Sequence, residues 1–142
     1  MTKSQKNGMH GVYATAAEFA YSGFIVSPTS RSAFGADLLV TDNQCQRSWS
    51  VQVKTNQSAA ANFWLLSAQC EKLKSESHVY VFVAQRAMYG PSFLSFQAVS
   101  LRRMYGRTKN PAGSFILLPA TQNGNTGTPK VGRTFLAIPL PQ

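Results

Sequence analysis

The chain has 142 residues, enough for one domain, and at 44% apolar composition it can bury a core without disulfides. Lysine and arginine number 14 against 5 acidic residues, a formal net charge of +9, yet charged residues make up only 13% of the chain. The basicity therefore comes from missing acids: this excludes an EF-hand type of calcium loop and disfavours an acidic surface, and it leaves a polyanion, most simply nucleic acid, as the partner.

The opening MTKSQKNGMHG is polar, and no apolar stretch of a secretory signal follows it. No apolar run approaches the roughly 20 residues of a membrane span, so a soluble cytoplasmic protein without a membrane partner is expected. From Gly8 to Ser22 the spacing predicts a helix, with Val12, Ala16, Phe19 and Ala20 recurring on one side. Gly23 stands where a left-handed C-cap residue belongs, followed by Phe24. FIVS reads as a short strand stopped by Pro28, and SPTSRSAFG as a loop. ADLLVTD and SWSVQVKT are strand-like and separated by NQCQR, which suits a hairpin loop.

Further on, LSAQCEKLKS predicts a short amphipathic helix, HVYVFVAQ and PSFLSFQAVS two strands, and VSLRRMYGR a turn into a short helix. SFILLPA and TFLAIPL are strand-like, separated by the Gly-, Asn- and Thr-rich residues 120–132, which read as a long hairpin tip. There is no internal repeat and no domain boundary. The expectation is one α/β domain over 1–142, with a core over about 8–100, a mixed sheet flanked by helices, and extra C-terminal β-structure.

Period-2 geometry gives the sharpest chemical inference. Closing the hairpin symmetrically around Cys45–Gln46 sets Asp37 across from Lys54, Leu38 from Val53, Leu39 from Gln52 and Val40 from Val51. Leu38, Val40, Val51 and Val53 then share the buried face, and Asp37, Gln52 and Lys54 share the other. A two-residue slip changes the opposite partners but keeps this partition. A carboxylate and an amide oxygen are hard ligands suited to Mg²⁺, with the Val53 carbonyl as a further donor. A neighbouring lysine can orient or help deprotonate a metal-bound water, or stabilise charge on a phosphate. Glu18, on the first helix, offers a second carboxylate. Singly, each has a plainer reading: Asp37 and Lys54 as a cross-strand ion pair, Gln52 and Glu18 as solvated side chains.

The run AAEFAYSGFIVSPTSRSAFGADLLVTD, followed by SWSVQVKT, resembles the core of the PD-(D/E)xK nucleases, the restriction-endonuclease-like superfamily. It is similar in particular to archaeal Holliday-junction resolvases and type IV restriction nucleases. The matching residues are Glu18 on the first helix, Asp37 at a strand start, and Gln52-Val53-Lys54 on the next strand. The resemblance implies a Mg²⁺- or Mn²⁺-dependent hydrolase of phosphodiesters, most simply in DNA. It implies Asp37 as metal ligand, Gln52 as ligand or water-positioning group, Lys54 acting on the nucleophile, and Glu18 assisting metal binding. A homodimer offering two sites to two strands is the natural arrangement. Ala36 stands in place of the nominal proline, and Gln52 in place of the more frequent acid, which removes one negative charge from the site.

Two other classes stay open: a nuclease-fold protein that binds nucleic acid without cutting it, and a protein-interaction or immunity-type module. Arg102, Arg103, Arg107 and Lys109, with Tyr105 among them, form the densest basic segment and could neutralise phosphates. Arg31, in the loop before Asp37, is the basic residue closest in sequence to the candidate site, and Lys3 and Lys6 could add to it. Asp42 reads as a turn residue, Glu71 and Glu76 as part of a solvated helix face, and His78 as structural. Phe63 and Trp64 read as core or sheet-covering residues. Cys45 and Cys70 form no CxxC pair, so a zinc ribbon is excluded and free thiols are expected. No P-loop, G-x-G-x-x-G or G-x-S-x-G is present.

Overall fold

A computed structural model describes residues 1–30, 35–57, 63–66, 75–86, 90–97, 109–110 and 113–117. One helix, α1 (Lys3–Tyr21), packs on a five-stranded sheet ordered β1 (Ile25–Pro28), β2 (Leu38–Thr41), β3 (Ser48–Asn56), β5 (His78–Arg86) and β6 (Gly90–Gln97). The intervening strand β4 (Phe63–Leu66) belongs to a second sheet with β8 (Gly113–Leu117) and β7 (Lys109–Asn110). All pairings in the main sheet are antiparallel except β3 with β5.

The helix begins five residues earlier than its apolar spacing indicates. Thr2 and Gln5 form a reciprocal capping box that satisfies two amides of the first turn and carries the helix through the two early glycines. Its other end is as expected. Gly23 is left-handed at φ 89°, its N–H reaches the Ala20 carbonyl at 3.0 Å, and the Phe24 N–H reaches Phe19 at 3.1 Å. This is a Schellman closure, and it brings the Phe24 ring edge-on to Phe19 with centroids 5.8 Å apart.

Gly11, Thr15 and Phe19 form the buried stripe of α1. They face a core of Leu38, Val40, Trp49, Val51, Val53, Val79, Val81 and Val83. Each fully buried valine or leucine contributes on the order of 1.5–3 kcal/mol. The core residues alternate along β2, β3 and β5, so one face of the sheet belongs to α1. On the other face Tyr80 and Phe82 are also buried, and Trp64 of β4 lies against Phe82 with ring centroids 5.3 Å apart. The Trp64 Nε1–H reaches the Val83 carbonyl. Trp64 is thus a sheet-covering residue, and a second β-layer covers this face near β5.

The C-terminal β-structure is present in β7 and β8. The helix expected within 66–75, the helix around 99–107 and the strand at 134–140 fall, for all or most of their length, outside the described residues. No helix among the described residues is long and apolar enough to cross a membrane.

Candidate active site

The strands β2 and β3 part at Asp37, and three bonds fix that residue at the fork. Its N–H donates to the Val51 carbonyl at 2.8 Å, although Val51 is already the partner of Leu38. Two successive residues therefore face one, as in a β-bulge, which re-aims a side chain where pairing stops. The Asp37 carbonyl turns the other way and accepts from the Thr29 N–H at 3.0 Å, while the Thr29 hydroxyl donates to the Ala36 carbonyl at 2.6 Å. With the chain held from both sides, the carboxylate Oδ2 accepts the Val53 N–H at 2.7 Å. That amide would have bonded to β2 had the pairing continued, and the carboxylate takes the place of the missing strand. By strand geometry the Val53 carbonyl points into the same fork.

Gln52 and Lys54 flank Val53 on β3, half-buried, on the sheet face opposite α1. The expected partition of the hairpin is observed, with Leu38, Val40, Val51 and Val53 buried and Trp49 joining them. The register is two residues away from the symmetrical expectation: Leu38 pairs with Val51 and Val40 with Trp49. The reason lies at the tip. Asp42 and Arg47 close the loop through an N–H to carbonyl bond of 3.0 Å, and Cys45 takes a left-handed conformation at φ 57°. Asp37 consequently does not stand across from Lys54. Its carboxylate is engaged by a backbone amide, and no ion pair joins it to Lys54 among the described residues.

Among the described residues no hydrogen bond or ion pair joins the Glu18 side chain to Asp37, Gln52 or Lys54. The helix runs with Asn7 and Gly11 beside Gln57 and Thr55, at the fork end of β3, and with Phe19 toward Phe24 and Trp49 at the hairpin end. Glu18 lies seven residues past Gly11 on α1, and its side chain is exposed. Arg31, Arg102, Arg103 and Arg107 lie outside the described residues, and Lys109 opens β7. Asp42 is a turn residue as expected, its Oδ1 accepting the Gln46 N–H at 2.7 Å. Glu76 is exposed in the turn before β5, and Cys45 is a free, exposed thiol at the hairpin tip.

Several further groups are fixed along β3 and at its ends. Thr29 is one, hidden in a loop of ordinary turn residues. Another is a chain of amides across the carboxyl ends of the parallel strands β3 and β5. Asn7 donates to Gln57 at 2.5 Å, Gln57 to Gln85 at 2.8 Å, and Gln85 meets the His10 ring. Gly11 is required here, since a Cβ would run into the Thr55 hydroxyl; a glycine in mid-helix was the available signal. His78 is buried, with Nδ1 2.7 Å from the Ser50 hydroxyl, on the sheet face shared by Gln52. Burial pushes its pKa below the usual histidine value.

The oxygens available at the fork are the second oxygen of Asp37, the Gln52 amide and the Val53 carbonyl. They are hard and few. No group of three or more His, Cys, Asp or Glu side chains gathers among the described residues. Such a set does not fit a closed zinc-type site but does fit a cation of the Mg²⁺ or Mn²⁺ type, which keeps several waters.

Neither a family model nor a curated protein matches the chain. Among solved structures it is similar to a bacterial homing endonuclease, I-Ssp6803I, at 19% identity and a TM-score of 0.54, over 83% of this chain and 76% of that one. It is also similar to Hjc, a Holliday junction resolvase from the archaeal hyperthermophile Archaeoglobus fulgidus. That match has 16% identity and a TM-score of 0.51, over 77% of this chain and 82% of the other. The mixed sheet, its covering helix and these neighbours together give the chain a restriction-endonuclease-like α/β fold.

Proposed function

We propose that this protein is a Mg²⁺- or Mn²⁺-dependent nuclease hydrolysing phosphodiester bonds, with DNA as its substrate. The observation that carries the reading is the fixing of Asp37 by three bonds at a strand fork beside Gln52 and Lys54. An aspartate held so firmly is pre-organised for work that a free surface carboxylate does poorly. When bound, a divalent cation supplies Lewis-acid activation and neutralises charge on the phosphate. Asp37, Gln52 and the Val53 carbonyl would hold it, with Glu18 assisting. The chain's own part is to orient and to stabilise: Gln52 directs an attacking water, and the positive charge of Lys54 meets that water or the phosphate oxygens as they gain charge.

The surroundings suit a polyanion. Lys3 and Lys6 are exposed on the first turns of α1, and the first turn carries no acid. With a net charge of +9, they extend a positive field past Lys54, to which Arg31, Arg102, Arg103, Arg107 and Lys109 would add. The use of the protein as a homodimer on two strands belongs to the same proposal.

The test is a cleavage assay on duplex, junction and single-stranded DNA and on RNA, with Mg²⁺ or Mn²⁺ and with an EDTA control. Metal-dependent cleavage that disappears in Asp37→Ala supports the reading. Salt-dependent binding without cleavage of any substrate, unaltered by Lys54→Ala, replaces it by a second one, a non-catalytic nucleic-acid-binding protein. The observation favouring that alternative is Gln52, a neutral amide where a carboxylate would add a negative charge.

A further inference from the structure

We propose that Ser50 is a further phosphate-binding residue of this protein, and that His78 behind it turns the Ser50 hydroxyl proton outward. The identity of the ligand, a phosphodiester oxygen next to the one held at the fork, rests on the proposed nuclease reading.

Ser50 lies on β3 two residues before Gln52, about 7 Å away along the strand and on the same face of the sheet. Its N–H donates to the Ser77 carbonyl at 2.9 Å, which fixes the backbone there. Its partner on β2, Leu39, is 52% exposed, so this row of the face is open to solvent. Its partner on β5 is His78, 3% exposed, whose Nδ1 stands 2.7 Å from the Ser50 Oγ.

One hydrogen lies between Oγ and Nδ1, and the far side of the ring decides whose it is. The His78 Nε2 is buried and has no hydrogen-bond partner. Burial disfavours the charged ring, so the imidazole carries a single N–H. Placed on Nε2, that hydrogen would be a buried donor without an acceptor, whereas a lone pair is tolerated there more readily. The hydrogen therefore sits on Nδ1 and is donated to the Ser50 Oγ. A hydroxyl that accepts from behind keeps its own proton to donate, and Oγ has no other hydrogen-bond partner among the described residues. Such a donor, half-buried on the face that carries Gln52 and Lys54, suits an anionic oxygen and forms a charge-assisted bond without itself carrying charge. A strand whose scissile phosphate meets Gln52 and Lys54 brings a neighbouring phosphate to Ser50. His78 acts through that hydroxyl and is a positioning residue.

The experiment uses the full chain. Proton–nitrogen correlation spectra of the histidine rings at neutral pH, without nucleic acid, are expected to show His78 protonated at Nδ1; protonation at Nε2 overturns the proposal. Binding of a short labelled DNA duplex in EDTA is followed by fluorescence anisotropy across a salt series. Ser50→Ala is expected to weaken binding about tenfold, the scale of one hydrogen bond to a charged group, with the salt slope unchanged because a neutral donor releases no counterion. Ser50→Thr keeps the hydroxyl and is expected to bind within about threefold of the unaltered protein. His78→Phe is expected to add no further loss to Ser50→Ala in the double variant. A Ser50→Ala variant that is folded by circular dichroism and binds as tightly as the unaltered protein overturns the proposal, as does an equal loss in Ser50→Thr. The two readings fail separately: cleavage with unaltered binding in Ser50→Ala removes Ser50 alone, whereas Ser50-dependent affinity without cleavage of any substrate keeps Ser50 and removes the nuclease.

Discussion

Two aspartates bracket strand β2, and each accepts one backbone amide at 2.7 Å: Asp42 from Gln46 at the hairpin tip, Asp37 from Val53 at the fork. Locally the two are the same device, a carboxylate standing in for an absent strand partner. The difference lies in what surrounds them. Asp42 closes a short loop that the chain completes by itself. Asp37 closes a gap between strands that have parted, next to Gln52 and Lys54. A hydrogen bond to a backbone amide therefore does not distinguish a turn carboxylate from a site carboxylate; the neighbouring elements do.

Replacing each aspartate by asparagine sharpens the contrast, because the amide oxygen can keep the bond while the charge is lost. Asp37→Asn is expected to lower cleavage by about 100-fold or more, the range seen when one well-placed electrostatic group is removed, with little change in melting temperature. Asp42→Asn is expected to leave cleavage within about twofold and stability within about 1 kcal/mol. Equal losses of activity in the two variants would break the comparison. The next effect concerns packing at the fork end. Gly11→Ala forces a methyl group against the Thr55 hydroxyl and should cost about 1–3 kcal/mol in denaturant titrations, partly regained in Gly11→Ala/Thr55→Ala.

The smallest effect is a pH dependence. Buried His78 has its pKa lowered by desolvation from an ordinary value of 6.5, so the folded chain favours the neutral ring. Below that ordinary value the unfolded chain binds the proton more readily than the folded one. His78 thus contributes stability that is complete above pH 6.5 and is lost as pH falls toward the lowered folded value. Melting temperatures between neutral and mildly acidic pH should decline less steeply in His78→Phe than in the unaltered protein. An unchanged slope would remove His78 from the account.

Much of this arrangement is legible in the sequence where the physics is local. Gly23 announces a left-handed helix end, and Phe24 after it announces the contact with Phe19. Alternation in β2 and β3 assigns Gln52 and Lys54 to one face without knowledge of the register. The register itself depends on the conformation of Cys45, a residue type that carries no signal for positive φ, so the symmetrical closure misses by two. The helix start was also legible, through Thr2 and Gln5, but two early glycines argue locally against it and the capping box outweighs them. Glu18 shows the opposite limit. Its place in the order of elements is legible, whereas its height over β3 depends on how α1 crosses the sheet, which is set by the packing of Gly11 on Thr55 and not by any local pattern. The second sheet joins Phe63–Leu66 to Gly113–Leu117 across a long sequence separation, which no local pattern encodes.

The bond between Asp37 and Val53 has one further consequence. The Val53 amide proton is protected by a side chain rather than by a neighbouring strand, so its exchange rate and its nuclear magnetic resonance shift depend on where that carboxylate points. Any ligand that draws the carboxylate aside exposes this one proton while the amides of Val51 and the rest of β3 stay covered. A single backbone resonance in mid-sheet thus works as an indicator lamp for the fork, readable without a substrate and without an assay of cutting.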